Sequence, residues 1–421
     1  MEIPDRIRKS VNVLLCLAAV VGIGWSGKEI WQVWNNRRQI EAGCAGLVPA
    51  GRVLALSPAG GGIRHRVGDE GTIELDAGLP QDCELFSTEA GEKLGTRTGE
   101  RWFFTAAVGV HPDESPTVPE GPWGFLLDPL GKPDHPAEPL GGGITGTVTD
   151  SGVIVELPCA GGKAGDRPVK SLWARASLMD LRSAFRDNGQ LTDHDRNVLA
   201  ETAVLTANNL ADRLGCADRL PDPPEDVPAL TRGPLPVSRA NGTCAWYREA
   251  GFARQDGLAD QVFESRRKGE TWDESCALVL SRGEANGLYR AHRDEKKYGY
   301  IVEPQNPGQW FVSFHTYSGE LAKNVQLKDI HSDETPTVAA PGEAGRDGQG
   351  LAVWWASSVC GGKPRIHTMT IAVGYDKLTA LAYEKVFRAY VTDAAERHDC
   401  TDITFPAHET FTAAYAEKAA S

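Results

Sequence analysis

Eight of the nine cysteines in this 421-residue chain fall into two sets of four, Cys44, Cys83, Cys159 and Cys216, then Cys244, Cys276, Cys360 and Cys400. The number is even, the spacing is wide and no C-x-x-C pair occurs, which suits a disulfide framework in an oxidising compartment and does not suit zinc or thioredoxin-type chemistry. Between the sets lies PDPPEDVPALTRGPLP at 221–236, where six of sixteen residues are proline. Such a segment is extended and semi-rigid. It divides the chain into a repeat at 42–220, a linker at 221–238 and a second repeat at 239–406, with a C-terminal tail at 407–421.

The two sets match in order. Cys83 in DCELFS, the aromatic strand RWFFTAAVGV, GVIVELPC ending at Cys159 and a helical stretch ending at Cys216 are answered in turn. Their counterparts are Cys276 in SCALVLS, the strands YGYIV and WFVSF, LAVWWASSVC ending at Cys360 and a helical stretch ending at Cys400. Successive intervals differ by loop-sized amounts. Equal counts back from Cys216 and Cys400 give Leu199, Ala203, Thr206 and Leu210 beside Tyr383, Phe387, Tyr390 and Ala394. That is one helical face in each copy, read as core, with Asp193 and Asp376 at the expected N-caps. Strands of two-residue alternation followed by one main helix imply an α+β fold, two tandem disulfide-stapled domains each pairing an antiparallel sheet with a helix.

LPCAGGK at 157–163 and SVCGGK at 358–363 place glycines and a lysine after a strand. A phosphate loop needs an earlier glycine, where Leu157 and Ser357 stand, and a hydroxyl after the lysine, where Ala164 and Pro364 stand. The motif fails twice in both copies and reads instead as a strand that ends at a disulfide and leaves through a tight turn. The expected pairs are Cys44 with Cys83, Cys159 with Cys216, Cys244 with Cys276 and Cys360 with Cys400, other pairings staying open from sequence. Each removes about 4 kcal/mol of unfolded-chain entropy in the loop-closure description.

Ahead of the repeats, a charged segment at 1–10 is followed by Val11–Ser26, which has no ionisable group besides the Cys16 thiol, and by Trp25, Trp31 and Trp34. With no A-x-A cleavage site, 11–34 reads as a retained transmembrane anchor with an aromatic belt, and Cys16 as an apolar residue within it. Arg6, Arg8 and Lys9 before the run are balanced by Lys28, Arg37 and Arg38 after it, so the cysteines set the expected orientation: amino terminus cytoplasmic, bulk extracytoplasmic. The net charge of −13 argues against nucleic acid as a partner. Arg64-His65-Arg66 and Arg266-Arg267-Lys268 read as solvated surface.

Long loops at 111–139 and 331–349 hold a second echo, HPDESPTV and HSDETPTV, read as an acidic Ser/Thr-Pro turn because three polar loop residues do not fix metal geometry. No G-x-S-x-G elbow occurs, His408-Glu409 begins an H-E-x-x-H that ends on Thr412, and His331-Ser332-Asp333 lie side by side, which is not how a triad assembles in space. A carboxylate pair stays open among the 57 acids. Gly60-Gly61-Gly62 and Gly141-Gly142-Gly143 read as turns, and Asn241-Gly242-Thr243 matches a glycosylation sequon.

The Val11–Ser26 run, the CAGLVP opening at Cys44, the LPCAGGK turn and the CAD and CTD helix ends together resemble the single-pass, membrane-anchored exported proteins of high-GC Gram-positive bacteria. The resemblance implies a cell-surface location and no particular activity. The expected function is a membrane-anchored extracytoplasmic binding or protein-interaction module acting on a cell-envelope protein or ligand; the alternative is an extracytoplasmic hydrolase without a linear motif. No catalytic, cofactor or metal residue is assigned.

Overall fold

The computed structural model describes residues 14–15 and 27–416, except 67–71, 74, 76–77, 80, 94–98, 112–135, 150, 180–190, 232–233, 268–270, 272, 296–297, 299–300, 302, 306–307, 320, 324, 328–336, 348–352 and 373. The first half begins with helix α1 at 27–43, followed by α2 (Ala50–Val53), strands β1 (Ile63–His65) and β2 (Gln81–Ser87), and α3 (Thr88–Lys93). Then come β3 (Arg101–His111), β4 (Glu138–Gly141), β5 (Ile144–Val148), β6 (Gly152–Pro158), the small hairpin β7 (Lys163–Ala164) and β8 (Arg167–Pro168), β9 (Ser171–Leu178) and the long helix α4 (Asp193–Leu214). The second half opens with β10 (Leu235–Pro236), α5 (Ala245–Glu249), β11 (Gln261–Glu264), β12 (Asp273–Val279) and α6 (Arg282–His292). It continues through β13 (Phe311–Tyr317), β14 (Val325–Leu327), β15 (Thr337–Ala339), β16 (Gly345–Arg346), β17 (Val353–Cys360) and β18 (Lys363–Ile371). The chain closes with α7 (Tyr375–Arg397), β19 (Cys400–Thr404) and α8 (His408–Ala416).

Two antiparallel sheets result, ordered β1-β2-β3-β9-β6-β5-β4 and β10-β11-β12-β13-β18-β17-β16, the second with β19 paired to β17. Their registers can be compared residue by residue. In the first sheet Cys83 lies opposite Ala106, Ala106 opposite Ala176 and Ala176 opposite Val153. In the second, Cys276 lies opposite Phe314, Phe314 opposite Met369 and Met369 opposite Trp354. Six residues beyond Val153 is Cys159, and six beyond Trp354 is Cys360. A one-residue slip in any of these pairings would reverse the faces and break this agreement. The central four strands of the two halves are therefore built to one register.

Four disulfides close the framework: Cys44–Cys83, Cys159–Cys216, Cys244–Cys276 and Cys360–Cys400. Each lies within its own half. The turns that follow the strand-end cysteines explain their glycines. Gly361 and Gly362 both have positive φ (56° and 77°) and join β17 to β18 directly, as a two-residue hairpin requires. In the first half a side chain on Gly162 would bring its Cβ within 2.1 Å of Cys159 Sγ and 2.8 Å of Cys216 Sγ, so that glycine makes room for the disulfide.

The main helices pack on one face of each sheet. Leu199, Ala203, Thr206, Leu210, Tyr383, Phe387, Tyr390 and Ala394 are all fully buried. The caps differ from those expected. Thr192, not Asp193, caps α4, its side chain accepting from Asp195 N, while the buried Asp195 carboxylate accepts from the backbone and hydroxyl of Ser57. Gly374 occupies the α7 cap position, and Asp376, the second residue of the helix, accepts from Gly374 N. An acidic residue is favoured anywhere in the first turn, so its presence alone does not single out the cap.

The faces turned away from the helices are also buried. Ile154, from that face of the first sheet, shares a cluster with Tyr317, Val353, Trp355 and Ile366 from the corresponding face of the second, covered in addition by Leu321, Val325 and Ala339. The proline-rich segment is no free spacer. Leu220 and Val227 are held by Asn208 and Asn197 of α4, Val227 enters the first core, and β10 adds to the second sheet. Buried Glu138 clamps the junction, accepting from Thr231 N, Thr231 Oγ1, Arg266 N and Arg266 Nε.

Several expectations are corrected. The N-terminal transmembrane helix is overturned: among the described residues no helix is long and apolar enough to cross a membrane. The helix that occupies the latter part of 11–34 is α1, which carries Lys28, Glu29, Arg37, Arg38 and Glu41. Apart from Leu14 and Leu15, the Val11–Ser26 run, Cys16 included, lies outside the described residues. Within the C-terminal tail expected at 407–421 lies α8, whose Phe411 is fully buried and stacks on Trp354 with ring centroids 5.1 Å apart. The basic clusters do lie on the surface as expected, Arg64, Arg66 and Arg266 being at least half exposed, and each has an acidic neighbour: Arg64 has Glu100, Arg66 has Glu84, Arg266 has Glu138 and Arg267 has Asp393.

Replacing Gly162 by alanine forces the disulfide aside and lowers unfolding stability by about 1–3 kcal/mol. Gly51→Ala, at an open helical position, lowers it little or not at all. Urea titration of both variants under oxidising conditions measures the difference.

Candidate functional site

Strand β13 reads FVSFHTY, and its alternation sends Val312, Phe314 and Thr316 toward α7 and Ser313, His315 and Tyr317 to the opposite face. On that opposite face His315 Nδ1 is hydrogen-bonded to Asp273 Oδ1 at 2.8 Å and Nε2 to Ser313 Oγ at 3.0 Å. The imidazole stacks on Tyr317, centroids 5.6 Å apart. Carboxylate, imidazole and hydroxyl thus stand in the order of a proton relay. All three side chains are nonetheless buried, His315 and Ser313 at 1 % exposure each.

The helix-facing side of the same sheet carries a second chain. His367 on β18 is hydrogen-bonded through Nδ1 to Thr316 Oγ1 at 2.8 Å and through Nε2 to Ser358 Oγ at 2.9 Å. Tyr390 of α7 meets Thr316 Oγ1 at 2.7 Å. Burial, reinforced by the nearby Arg365 guanidinium, pushes the His367 pKa down to about 3, so the ring is neutral. Beside it Arg397 donates to both oxygens of Glu274, at 2.9 and 2.6 Å. Burial by itself would raise the Glu274 pKa, but the His398 imidazole, its Nε2 3.7 Å from Oε2, and the two hydrogen bonds from Arg397 overcome it and hold the carboxyl down to about 2.

The shared register shows what the first half holds at these places. His315 corresponds to Ala107, His367 to Ala174, Thr316 to Val108 and Ser358 to Leu157. The two histidines with Thr316 and Ser358 therefore belong to the second half alone, whereas Ser313 and Tyr390 have buried hydroxyl counterparts in Thr105 and Thr206.

An open cleft of about 830 Å³ lies on the outer side of α7. Leu378, Leu381 and Ala382 form its apolar floor, with Glu384, Lys385 and His408 among its polar lining. His408 Nδ1 lies 2.5 Å from Glu384 Oε2, and Arg388 Nε donates to Glu384 Oε1 at 3.1 Å. The Glu384 carboxylate is thus engaged on both oxygens. Arg388 is held in turn over Phe405 and by Pro406 O.

The residues singled out in the sequence do not converge on a site. The eight cysteines lie in the four disulfides. His408 reaches the cleft, whereas Thr412 Oγ1 donates back within its own helix to Glu409 O. His331, Ser332 and Asp333 lie outside the described residues, as does almost all of the HPDESPTV and HSDETPTV echo. The loops around that echo contain sheet: β4 begins within 111–139, and β15 and β16 lie within 331–349. Gly60, Gly61 and Gly62 form a pinned turn, their backbone bonded to Glu89, Asn36 and Thr88. No group of three metal-ligating side chains occurs among the described residues. Sequence reading missed both buried histidines; the available signal was a His-Thr pair inside each of two otherwise strand-like runs, FHTY and IHTM.

No family model matches this chain, and no curated protein and no solved structure matches it either.

The two shifted groups set an acid dependence. An unfolded His367 takes up a proton near its ordinary 6.5, whereas the folded one does so only near 3. Between these values the unfolded chain holds the extra proton, so stability is fully present above about 6.5 and is lost as pH falls toward 3. Glu274, with a folded value below its ordinary 4.5, adds a loss between 4.5 and about 2. Unfolding free energies from urea titrations between pH 7 and 5 should therefore drop in the native chain by up to about 1.4 kcal/mol per pH unit on account of His367. In His367→Asn that part of the slope disappears.

Proposed function

We propose that the protein is an extracytoplasmic binding module and that the cleft over α7 is its ligand surface. Four disulfides fit an oxidising compartment. The observation that carries the reading is the cleft itself: an apolar floor with Leu381 47 % exposed, beside a carboxylate already engaged by two cations or donors and the exposed amine of Lys385. A concave apolar surface with few polar groups at its edge is the ordinary form of a recognition site. The chemistry it favours is an apolar side chain next to a carboxylate on a partner polypeptide, the carboxylate facing Lys385. A photo-crosslinking amino acid at Leu381, tested on intact cells, should give a discrete adduct that Lys385→Glu abolishes. The same group at Leu205, exposed on α4 in the first half, should give none. Equal adducts at both positions, or none at 381, count against the cleft.

A second reading, a hydrolase, is favoured by one geometry, the Asp273–His315–Ser313 relay. For catalysis Ser313 Oγ must reach an acyl carbon while His315 takes its proton. Its burial opposes that. A fluorophosphonate probe should leave Ser313 unmodified in the folded protein; stoichiometric labelling of Ser313 would replace the binding reading with the catalytic one.

A further inference from the structure

Six of the nine large hydrophobic side chains exposed among the described residues precede residue 35. Four of them are on α1: Ile30 at 71 % exposure, Trp31 at 62 %, Val33 at 47 % and Trp34 at 52 %. The helix is not a fraying end. Its opposite side is fastened to the first half, where Asn36 donates to Gly61 O at 2.8 Å and accepts from Ile63 N at 2.9 Å, Gln39 meets His65 at 2.9 Å, and Ile40 is fully buried. At about 100° per residue, Ile30, Trp31, Trp34 and Arg38 share one arc, with Val33 and Arg37 along its edge and the exposed carboxylate of Glu41 within the arc toward the C-terminal end of the helix. The Arg38 guanidinium sits 4.7 Å from the centre of the Trp34 ring.

We propose that this arc of α1 rests in the headgroup region of an anionic lipid bilayer, with the helix axis along the surface. Exposed tryptophans beside arginines are the composition of helices that lie in a membrane interface, where the indole body is apolar and its N–H stays wet. The charges along α1 bar it from crossing the hydrocarbon and suit it to lie on phosphates. Charge complementarity points the same way. Residues 1–38 carry six basic against three acidic side chains, in a chain whose net charge is −13. An anionic surface therefore attracts this end and repels the rest, which orients the body away from the membrane. The proposal is independent of the cleft: it assigns how the protein is held, not what it recognises.

The test uses the full chain and phosphatidylcholine vesicles with and without phosphatidylglycerol, their acyl chains brominated so that lipid-inserted tryptophans are quenched. Native protein should sediment with the phosphatidylglycerol vesicles, more weakly at high salt, and part of its fluorescence should be lost. Trp31→Phe/Trp34→Phe keeps the apolar arc and should still bind, while most of the quenched fraction disappears. Ile30→Ser/Trp31→Ser/Trp34→Ser should weaken partitioning roughly tenfold or more. These side chains are exposed, so the thermal midpoint should stay unchanged. An unaltered quenched fraction in the phenylalanine variant overturns the proposal, as does unaltered binding in the serine variant. So does self-association without vesicles that the serine variant abolishes, since that assigns the arc to a second copy of the chain.

Discussion

In each half a disulfide holds the end of a central strand to the segment that follows the long helix, Cys159 to Cys216 and Cys360 to Cys400. That covalent link fixes where the helix ends relative to the sheet. Everything packed between them inherits the register. The buried stripes Leu199, Ala203, Thr206, Leu210 and Tyr383, Phe387, Tyr390, Ala394 meet the sheet at corresponding places because both ends of the strand–helix unit are tied alike. The second pair of bridges, Cys44–Cys83 and Cys244–Cys276, fixes the entry of each half to the strand opposite.

On this common frame the halves differ in what they bury. The first fills its central strands with Ala106, Ala107, Ala174 and Ala176; the second places Phe314, His315, His367 and Met369 at the same positions. Trp246 packs edge-on against Phe314 and meets Tyr390 as well, so the second core is heavily aromatic. Buried imidazoles and hydroxyls add little net stability and are costly when a partner is missing, so a fully bonded chain such as Ser358–His367–Thr316–Tyr390 specifies one arrangement more than it strengthens it. The cleft over α7 lies on the outer side of the helix that this chain positions.

What was legible in the sequence was periodic or local. Helical stripes, strand alternation and the glycine turns each announce themselves within a few residues, and the matched cysteines extend that reading to two like halves. What was not legible depends on partners far apart in the chain. Asp273 finds His315 across 42 residues, and Glu138 finds Arg266 across 128. A carboxylate on a strand gives no local sign of such a partner. How the segment at 221–236 packs was not legible for a related reason: proline makes it extended, and an extended chain can lie along α4 as readily as it can bridge open solvent. The apolar N-terminal run suggested a spanning helix, whereas α1, with charges along its length, is the helix that the structure describes there.

The central claim is that the chain is an oxidised protein of two like-built halves, each stapled by its own two bridges. The most direct measurement is mass spectrometry of peptides from a non-reducing digest of protein isolated with thiols blocked. The account predicts four linked peptide pairs, Cys44 with Cys83, Cys159 with Cys216, Cys244 with Cys276 and Cys360 with Cys400, and no blocked thiol among those eight. Bridges crossing between the halves, or free thiols at these positions, would contradict it.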